Sequence, residues 1–333
     1  MKKALILGGT GVMGEYLTRY LYDMGFKLDV FSLDDRESKQ NLTYIKANAK
    51  DKATVAEYLK NDYDAVIDFM MYNTKEFTDT YKMFLDNTEQ YVYLSSYRVY
   101  ADDNPIRETS PRLLDVSPDK HYLASDDYSL YKARGEDLLI NSGKKNWTAV
   151  RPTITYSDQR LQLVTLEGNT VINRSRQGKP VVLPADALKA QTTMSFAGDV
   201  SKMIARLVLN KDAYGETYTT ATAEHQSWET IAGYYKEIIG LKYIPVSTED
   251  FLSIRSDEEF DPYRWKLIYD RFYDRVIDNT KILNATGMKQ SELMPIKEGL
   301  TRCIAALDSS KTFGNMAYSD RMDAFLQAKG IKY

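Results

Sequence analysis

The stretch Ala4-Leu5-Ile6-Leu7-Gly8-Gly9-Thr10-Gly11-Val12-Met13-Gly14 decides the architecture of the chain. Its four leading apolar residues run without alternation, as in a strand buried on both faces. Glycines follow at Gly8-x-x-Gly11-x-x-Gly14, and a helical pattern opens at once over 12–24. A strand that turns directly into a helix needs residues without Cβ clashes at the turn, and again where the helix closes on the strand. The N–H groups left free at the helix start suit a pyrophosphate. Gly8, Thr10, Gly11, Val12, Met13 and Gly14 are therefore the expected dinucleotide contacts.

Working outward, strand-like runs recur at 28–33, 43–45, 65–69, 91–94 and 147–150, with helical spacing at 52–60, 74–88 and 128–142. Such β-α-β alternation implies a parallel sheet with right-handed crossovers. After Arg151-Pro152 the rhythm changes. A helix-like stretch within 161–190 leads through Gly178-Lys179-Pro180 to a strand at 181–183. A helical pattern at 199–209 precedes a strand at 217–220, and helices dominate from Ser227 with breaks at Asp261-Pro262 and Gly287. The expected α/β fold is a Rossmann-type doubly wound parallel sheet built from 1–160 plus 191–222. A smaller, mostly helical C-terminal substrate lobe takes 161–190 plus 223–333.

The 333 residues are 43% hydrophobic and 27% charged, the balance of a globular protein. Lys+Arg total 44 against Asp+Glu 47, for a net charge of −3, so no basic surplus points to nucleic acid. Cys303 is the single cysteine, which excludes an intramolecular disulfide and favours a reducing compartment. With His121 and His225 the only histidines, no metal site is expected. The first apolar run stops at Gly8-Gly9, short of a secretory h-region, and no stretch approaches the ~20 apolar residues of a membrane span. A cytoplasmic protein is expected.

Near the end of the second strand stand Asp34, Asp35 and Arg36. An acid there accepts the adenosine ribose hydroxyls of NAD, whereas an arginine holds the 2′-phosphate of NADP. Asp34 with NAD is the leading reading, and Arg36 with NADP the alternative.

In Tyr128-Ser129-Leu130-Tyr131-Lys132 the tyrosine and lysine lie one helical turn apart on one face. A phenol with a pKa near about 10 becomes a useful acid–base group when an ammonium stabilises its phenolate. Upstream, Tyr93-Leu94-Ser95-Ser96 carries a serine to the C-terminal end of the fifth strand, where open α/β sheets bind ligands.

Together these features resemble the extended short-chain dehydrogenase/reductase family, the NAD-dependent epimerase/dehydratase group acting largely on nucleotide sugars. The likeness rests on the Gly8–Gly14 loop, Asp64-Ala65-Val66-Ile67-Asp68, Leu94-Ser95-Ser96-x-x-Val99-Tyr100, Tyr128-x-x-x-Lys132, Arg151-Pro152 and the late Asp278-Asn279-Thr280-Lys281. It implies three catalytic roles. Ser96 would polarise the reacting carbonyl, Tyr128 exchange the proton, and Lys132 hold the nicotinamide ribose and lower the tyrosine pKa. It extends the cofactor contacts to Asn48, Ala49, Phe69, Met70, Met71, Pro152 and the Tyr128/Lys132 pair. A homodimer is implied, with Phe77, Tyr81, Phe84 and Leu138 as contacts. The acidic pair of the group's sugar 4,6-dehydratases is missing, since Tyr97 and Arg98 follow Ser96. Asn48 stands where an Asp is common, Tyr156-Ser157 replaces Tyr-Gly, and Phe196-Ala197 replaces His-Val.

For a diphosphate-bearing substrate, arginines are the natural ligands. Arg98, Tyr156, Arg174, Arg176 and Arg264 are the expected substrate contacts, with Lys179, Arg271 and Arg275 as further cations. Tyr263-Arg264-Trp265 could stack a base. The expected activity is hydride transfer between NAD and a nucleotide sugar, ending in epimerisation or in net oxidation or reduction. The alternatives are an NADP-dependent carbonyl reductase of a non-sugar substrate, and a catalytically silent dinucleotide-binding regulatory or RNA-binding protein.

Overall fold

The computed structural model describes residues 1–255, 262–314 and 318–333. Its centre is a seven-stranded sheet of β1 (Lys3–Leu7), β2 (Lys27–Ser32), β3 (Leu42–Lys46), β4 (Tyr63–Asp68), β5 (Thr88–Leu94), β6 (Trp147–Val150) and a seventh strand, Glu216–Tyr218. All pairings are parallel, in the order seventh-6-5-4-1-2-3. The order reverses between β1 and β4, and the ends of those strands open the crevice where such sheets take ligands.

The unbroken apolar run of β1 follows from its position. Ala4 and Ile6 pack with Leu17, Leu21, Met203 and Ile204 on one face of the sheet. Leu5 and Leu7 pack with Val55, Leu59 and Leu139 on the other. Both faces are dry, so alternation has no role in the sequence. Helix α1 (Gly14–Asp23) and the Ala197–Leu207 helix form one layer, and the Tyr128–Ile140 helix belongs to the other.

The stretch 74–88 differs from expectation. It splits into two short helices, Thr74–Thr78 and Tyr81–Asp86, and Thr88 already belongs to β5. Thr78 donates its hydroxyl to Thr74 O and Thr80 donates to Glu76 O, so threonine side chains compete with the backbone ladder where the helix ends. Two expected dimer contacts also need correction. Phe77 and Phe84 are each 1% exposed, stacked on Tyr93 and Tyr91 in the core, and neither reaches a partner. Tyr81 and Leu138 stay partly exposed beside a shallow surface cavity of about 250 Å³.

A second core gathers Val171, Ile172, Trp228, Ile231, Tyr235, Leu267 and Leu300 under the C-terminal helices. A two-stranded parallel ribbon, Val181–Pro184 with Tyr243–Val246, lies in this region. Gly287, at φ +64, ends the Thr280–Thr286 helix. Of the expected break at Asp261-Pro262, Asp261 lies outside the described residues. One turn of π-helix, Leu267–Arg271, interrupts the lobe beside the crevice. Among the described residues, no helix is long and apolar enough to cross a membrane, and no cluster of His, Cys, Asp or Glu is arranged to hold a metal ion.

Candidate active site

The glycine loop sits at the C-terminal end of β1. Gly8 has φ +76, a left-handed conformation that glycine adopts without strain. A Cβ on Gly14 would stand 2.6 Å from Gly8 O, so α1 closes directly on the loop. Gly11 is different: a Cβ there would meet only Gly8 O, at 3.5 Å, and otherwise faces open space. The N–H groups of Thr10, Val12 and Met13 have no protein acceptor among the described residues. Free donors around an open glycine form a cradle that fits a pyrophosphate.

Ser96 follows β5, and its Oγ accepts the Arg98 N–H at 3.2 Å. That contact uses a lone pair and leaves the hydroxyl proton for a ligand. Tyr128 opens its helix behind the N-cap Asp127, whose carboxylate accepts Ser129 N at 3.0 Å and Ser129 Oγ at 2.6 Å. The Arg98 guanidinium lies 5.2 Å from the centroid of the Tyr128 ring. Lys132 is fully buried; its Nζ donates to Leu94 O at 2.5 Å and stands 5.9 Å from the Tyr128 ring centroid. Burial pushes the Lys132 ammonium down to about 8, against the opposing pull of Asp68 and Glu136. Asp68 is itself raised to about 6 by burial, although Met70 N–H and Tyr91 OH both bond to it.

Ser96 and Tyr128 line a cleft of about 350 Å³ together with Met13, Phe69, Met71, Arg98 and Pro152. Four loops and helix starts far apart in sequence therefore converge beside the glycine loop. The helix that carries the pair is pinned from behind. Glu136, fully buried, accepts Ser95 Oγ at 2.5 Å and both Nε and Nη2 of Arg151 at 2.8 and 2.7 Å.

The N-terminal two thirds of this assembly match a family model, described as NAD dependent epimerase/dehydratase family, over residues 4–221. The chain belongs to that family. The family is described as NAD dependent, and the open Gly11 with the free N–H groups around it fits the pyrophosphate of such a dinucleotide. Similar solved structures include a dTDP-glucose 4,6-dehydratase from Bacillus anthracis in complex with NAD, at TM-score 0.67 and 15% identity over 92% of this chain and 96% of that one. A Thermus thermophilus UDP-glucose 4-epimerase complexed with NAD gives TM-score 0.63 and 16% identity, over 92% of this chain and 100% of that one. At such identities the likeness is one of fold. A curated relative, the chloroplast stem-loop binding protein of 41 kDa b from Arabidopsis thaliana, is 23% identical over 248 residues, 69% of this chain. The chain spans 61% of that relative's length.

Other expected contacts stand apart from the cleft. Arg174 is fully buried and bonds Pro180 O, Ser319 and Asp323, which makes it a brace of the lobe rather than a substrate ligand. Tyr156 is fully buried with its hydroxyl against Gly299, away from the cleft lining. Arg176 reaches Lys311 O at the surface, and Arg264 forms a two-bonded pair with Glu249. Lys179 pairs with Asp323, and Arg275 is buried against Asp270 and the carbonyls of Tyr100 and Ala101. Arg271 does line the cleft. At the adenosine end Asp34 is exposed, Arg36 pairs with Glu15 at 3.5 Å, Asn48 is exposed, Ala49 is buried, and Met70 lies against Gly8.

The expected contacts do not include several residues of the cleft lining, among them Thr153, Thr155, Arg160, Gln162 and Lys266. Lys266 had a visible signal in the run Tyr263-Arg264-Trp265-Lys266. Residues two apart on a helix are roughly 200° apart, so the cation facing the cleft is Lys266 and Arg264 points elsewhere. Ser32, the last residue of β2, was also passed over. Its Oγ lies 2.8 Å from Thr10 Oγ1, at the edge of the glycine loop.

Proposed function

We propose that this protein is an NAD-dependent epimerase or oxidoreductase that transfers hydride to and from a nucleotide sugar. One observation carries the reading: Ser96 and Tyr128 share a single cleft beside the open glycine loop, with Lys132 buried beneath the tyrosine. Bound NAD supplies a nicotinamide ring that accepts hydride from a carbinol carbon. Tyr128 Oη takes the carbinol proton, and Ser96 Oγ donates to the same oxygen as it becomes a carbonyl. The Lys132 ammonium stabilises the tyrosinate from below and holds the ribose. Met13, Phe69 and Pro152 give that end of the cleft an apolar wall that excludes water. In this reading 1–160 plus 191–222 bind the dinucleotide, 161–190 plus 223–333 form the substrate lobe, and the protein works as a homodimer through the face around Tyr81 and Leu138.

The name of the plant relative supports a second reading, a dinucleotide-binding protein that binds RNA stem-loops without turnover. A panel of nucleotide sugars, followed by nicotinamide absorbance and product chromatography with wild type and Tyr128→Phe, separates the two. Turnover that disappears in the variant supports the enzyme. No turnover, together with salt-dependent retention of a stem-loop RNA, supports the second reading.

A further inference from the structure

Beyond the Ser96/Tyr128 end, the cleft continues into a neighbouring cavity of about 500 Å³, and Arg98, Tyr128 and Lys266 line both. Lys266 has no ion pair or hydrogen bond with any described residue, although its side chain is largely enclosed. Arg98 is nearly as exceptional. Its carboxylate neighbours Asp127 and Asp270 both stand 3.6 Å away, beyond hydrogen-bond reach, and its buried Nε has no acceptor. Those acids are already engaged. Asp127 caps the Tyr128 helix, and Asp270 takes Arg271, Arg275 and the Tyr97 hydroxyl. Glu167 accepts Gln162 at 2.7 Å and lies 3.7 Å from Arg160. Asp126, which also lines the neighbouring cavity, is paired with Arg134 at 2.9 Å, so Arg98 and Lys266 have no hydrogen-bonded carboxylate among the described residues.

We propose that the reacting sugar itself carries an oxyanion, a carboxylate or phosphate substituent, which Arg98 and Lys266 hold beside the Tyr128 hydroxyl. The proposal rests on the hydride-transfer reading above and names the substrate class within it. Distance argues for the sugar rather than the nucleotide diphosphate, because the Arg98 guanidinium lies 5.2 Å from the ring that would exchange the proton. The Arg98 guanidinium, which lines both cavities, offers the planar fork that suits a carboxylate or phosphate, and Lys266 adds a point charge. Burial and the nearby Arg271, Arg98 and Arg160 hold the Lys266 ammonium down to about 7, a repulsion that an arriving anion relieves. Lys266 also caps the π-helical turn Leu267–Arg271, an irregularity frequent at functional sites.

The test uses the full chain saturated with NAD. Lysines are labelled by reductive methylation at neutral pH and mapped by peptide mass spectrometry. Added ligands are a nucleoside-diphosphate hexuronate, the matching neutral hexose derivative, the nucleoside diphosphate alone, and a hexose 6-phosphate. At least fivefold slower labelling of Lys266 with the hexuronate or the hexose phosphate, and unchanged labelling with the neutral sugar nucleotide, is the expected result; which of the two protects identifies the anion. Equal protection by the nucleoside diphosphate alone, or none by any anion, overturns the proposal. In steady state, Lys266→Met raises KM for the protected class at least tenfold more than for the neutral derivative, and an equal rise for both overturns the assignment. Lys266 protected by an anion in a protein that oxidises no nucleotide sugar would sink the hydride-transfer reading and leave the anion site standing. Neutral sugars turned over with no protection would do the reverse.

Discussion

The two halves of the cleft were written into the chain differently. The cofactor half is backbone chemistry. Three glycines at fixed spacing create the turn, the close packing and the free N–H groups within seven residues, so a local pattern carries the whole message. The substrate half is side-chain chemistry from Arg98, Asp127, Arg160, Lys266, Asp270 and Arg271, brought together only by the tertiary fold. Their spacing in sequence carries no periodicity. A motif is legible when the structure it needs is local, and a charge cluster is legible only when it lies on one element.

The hardest test of the cofactor half is Gly11→Val. Because a Cβ at Gly11 meets little protein, the variant folds with a near-normal melting temperature, yet a branched side chain fills the pyrophosphate's approach. NAD binding measured by calorimetry should vanish. Gly14→Val is the control, since its Cβ would collide with Gly8 and Gly9 and lower the melting temperature as well. A Gly11→Val protein that still binds NAD at wild-type affinity would show that the loop is merely structural.

Lys132→Met comes next, and it moves activity and stability in opposite directions. Turnover falls because both the ribose anchor and the charge under Tyr128 are gone. Stability at pH 7 rises, because the folded chain no longer holds an ammonium whose pKa burial has pushed from 10.5 to about 8, worth about 3 kcal/mol at 1.36 kcal/mol per unit. The wild type carries that penalty in full below pH 8. Between about pH 8 and 10.5 only the unfolded chain still binds the proton, so wild-type stability recovers and the gap closes. Melting curves at pH 7 and pH 10 check the sign; a variant less stable than wild type at pH 7 would make Lys132 a structural residue.

Tyr128→Phe loses one hydroxyl and keeps the ring against Arg98. NAD affinity should hold while turnover drops by about 10²–10⁴, the usual worth of general acid–base assistance. Ser96→Ala costs less, because it removes a donor to the substrate oxygen and leaves the proton acceptor in place. Equal rates in wild type and Tyr128→Phe would remove the mechanism.

Much of the fold was legible for the same reason as the loop. The strand cores of the sheet follow from continuous apolar runs, and Trp147–Val150 matches its expected limits. The 74–88 stretch was misread because apolar spacing continues through Phe77, Tyr81 and Phe84 while Thr78 and Thr80 divert the backbone bonds, a local competition that periodicity does not register. Those phenylalanines looked like an exposed dimer face because their burial depends on Tyr91 and Tyr93 of a strand beginning at Thr88. Arg174 misled in a similar way. Arginine type suggested phosphate, whereas the fold enclosed it against Ser319 and Asp323, roughly half the chain away.

The smallest effect lies at the adenosine ribose, where the two kinds of legibility meet. The sequence points to Asp34, an exposed acid two residues beyond the end of β2. The structure offers a nearer hydroxyl, since Ser32 ends the strand and touches Thr10 of the loop. It also ties the two together, because Asp34 N donates to Ser32 Oγ at 2.9 Å. If Asp34 accepts a ribose hydroxyl, Asp34→Ala weakens NAD by roughly 2–10-fold, the net worth of one hydrogen bond at about 0.5–1.5 kcal/mol, and narrows the preference over NADP. Arg36→Ala should leave NAD affinity unchanged, because Arg36 faces Glu15 at 3.5 Å. Titration of both variants and of Ser32→Ala with NAD and NADP decides the matter. A loss in Ser32→Ala with none in Asp34→Ala moves the ribose contact to the strand end. In that case even the cofactor half was read from the pattern only as far as its backbone.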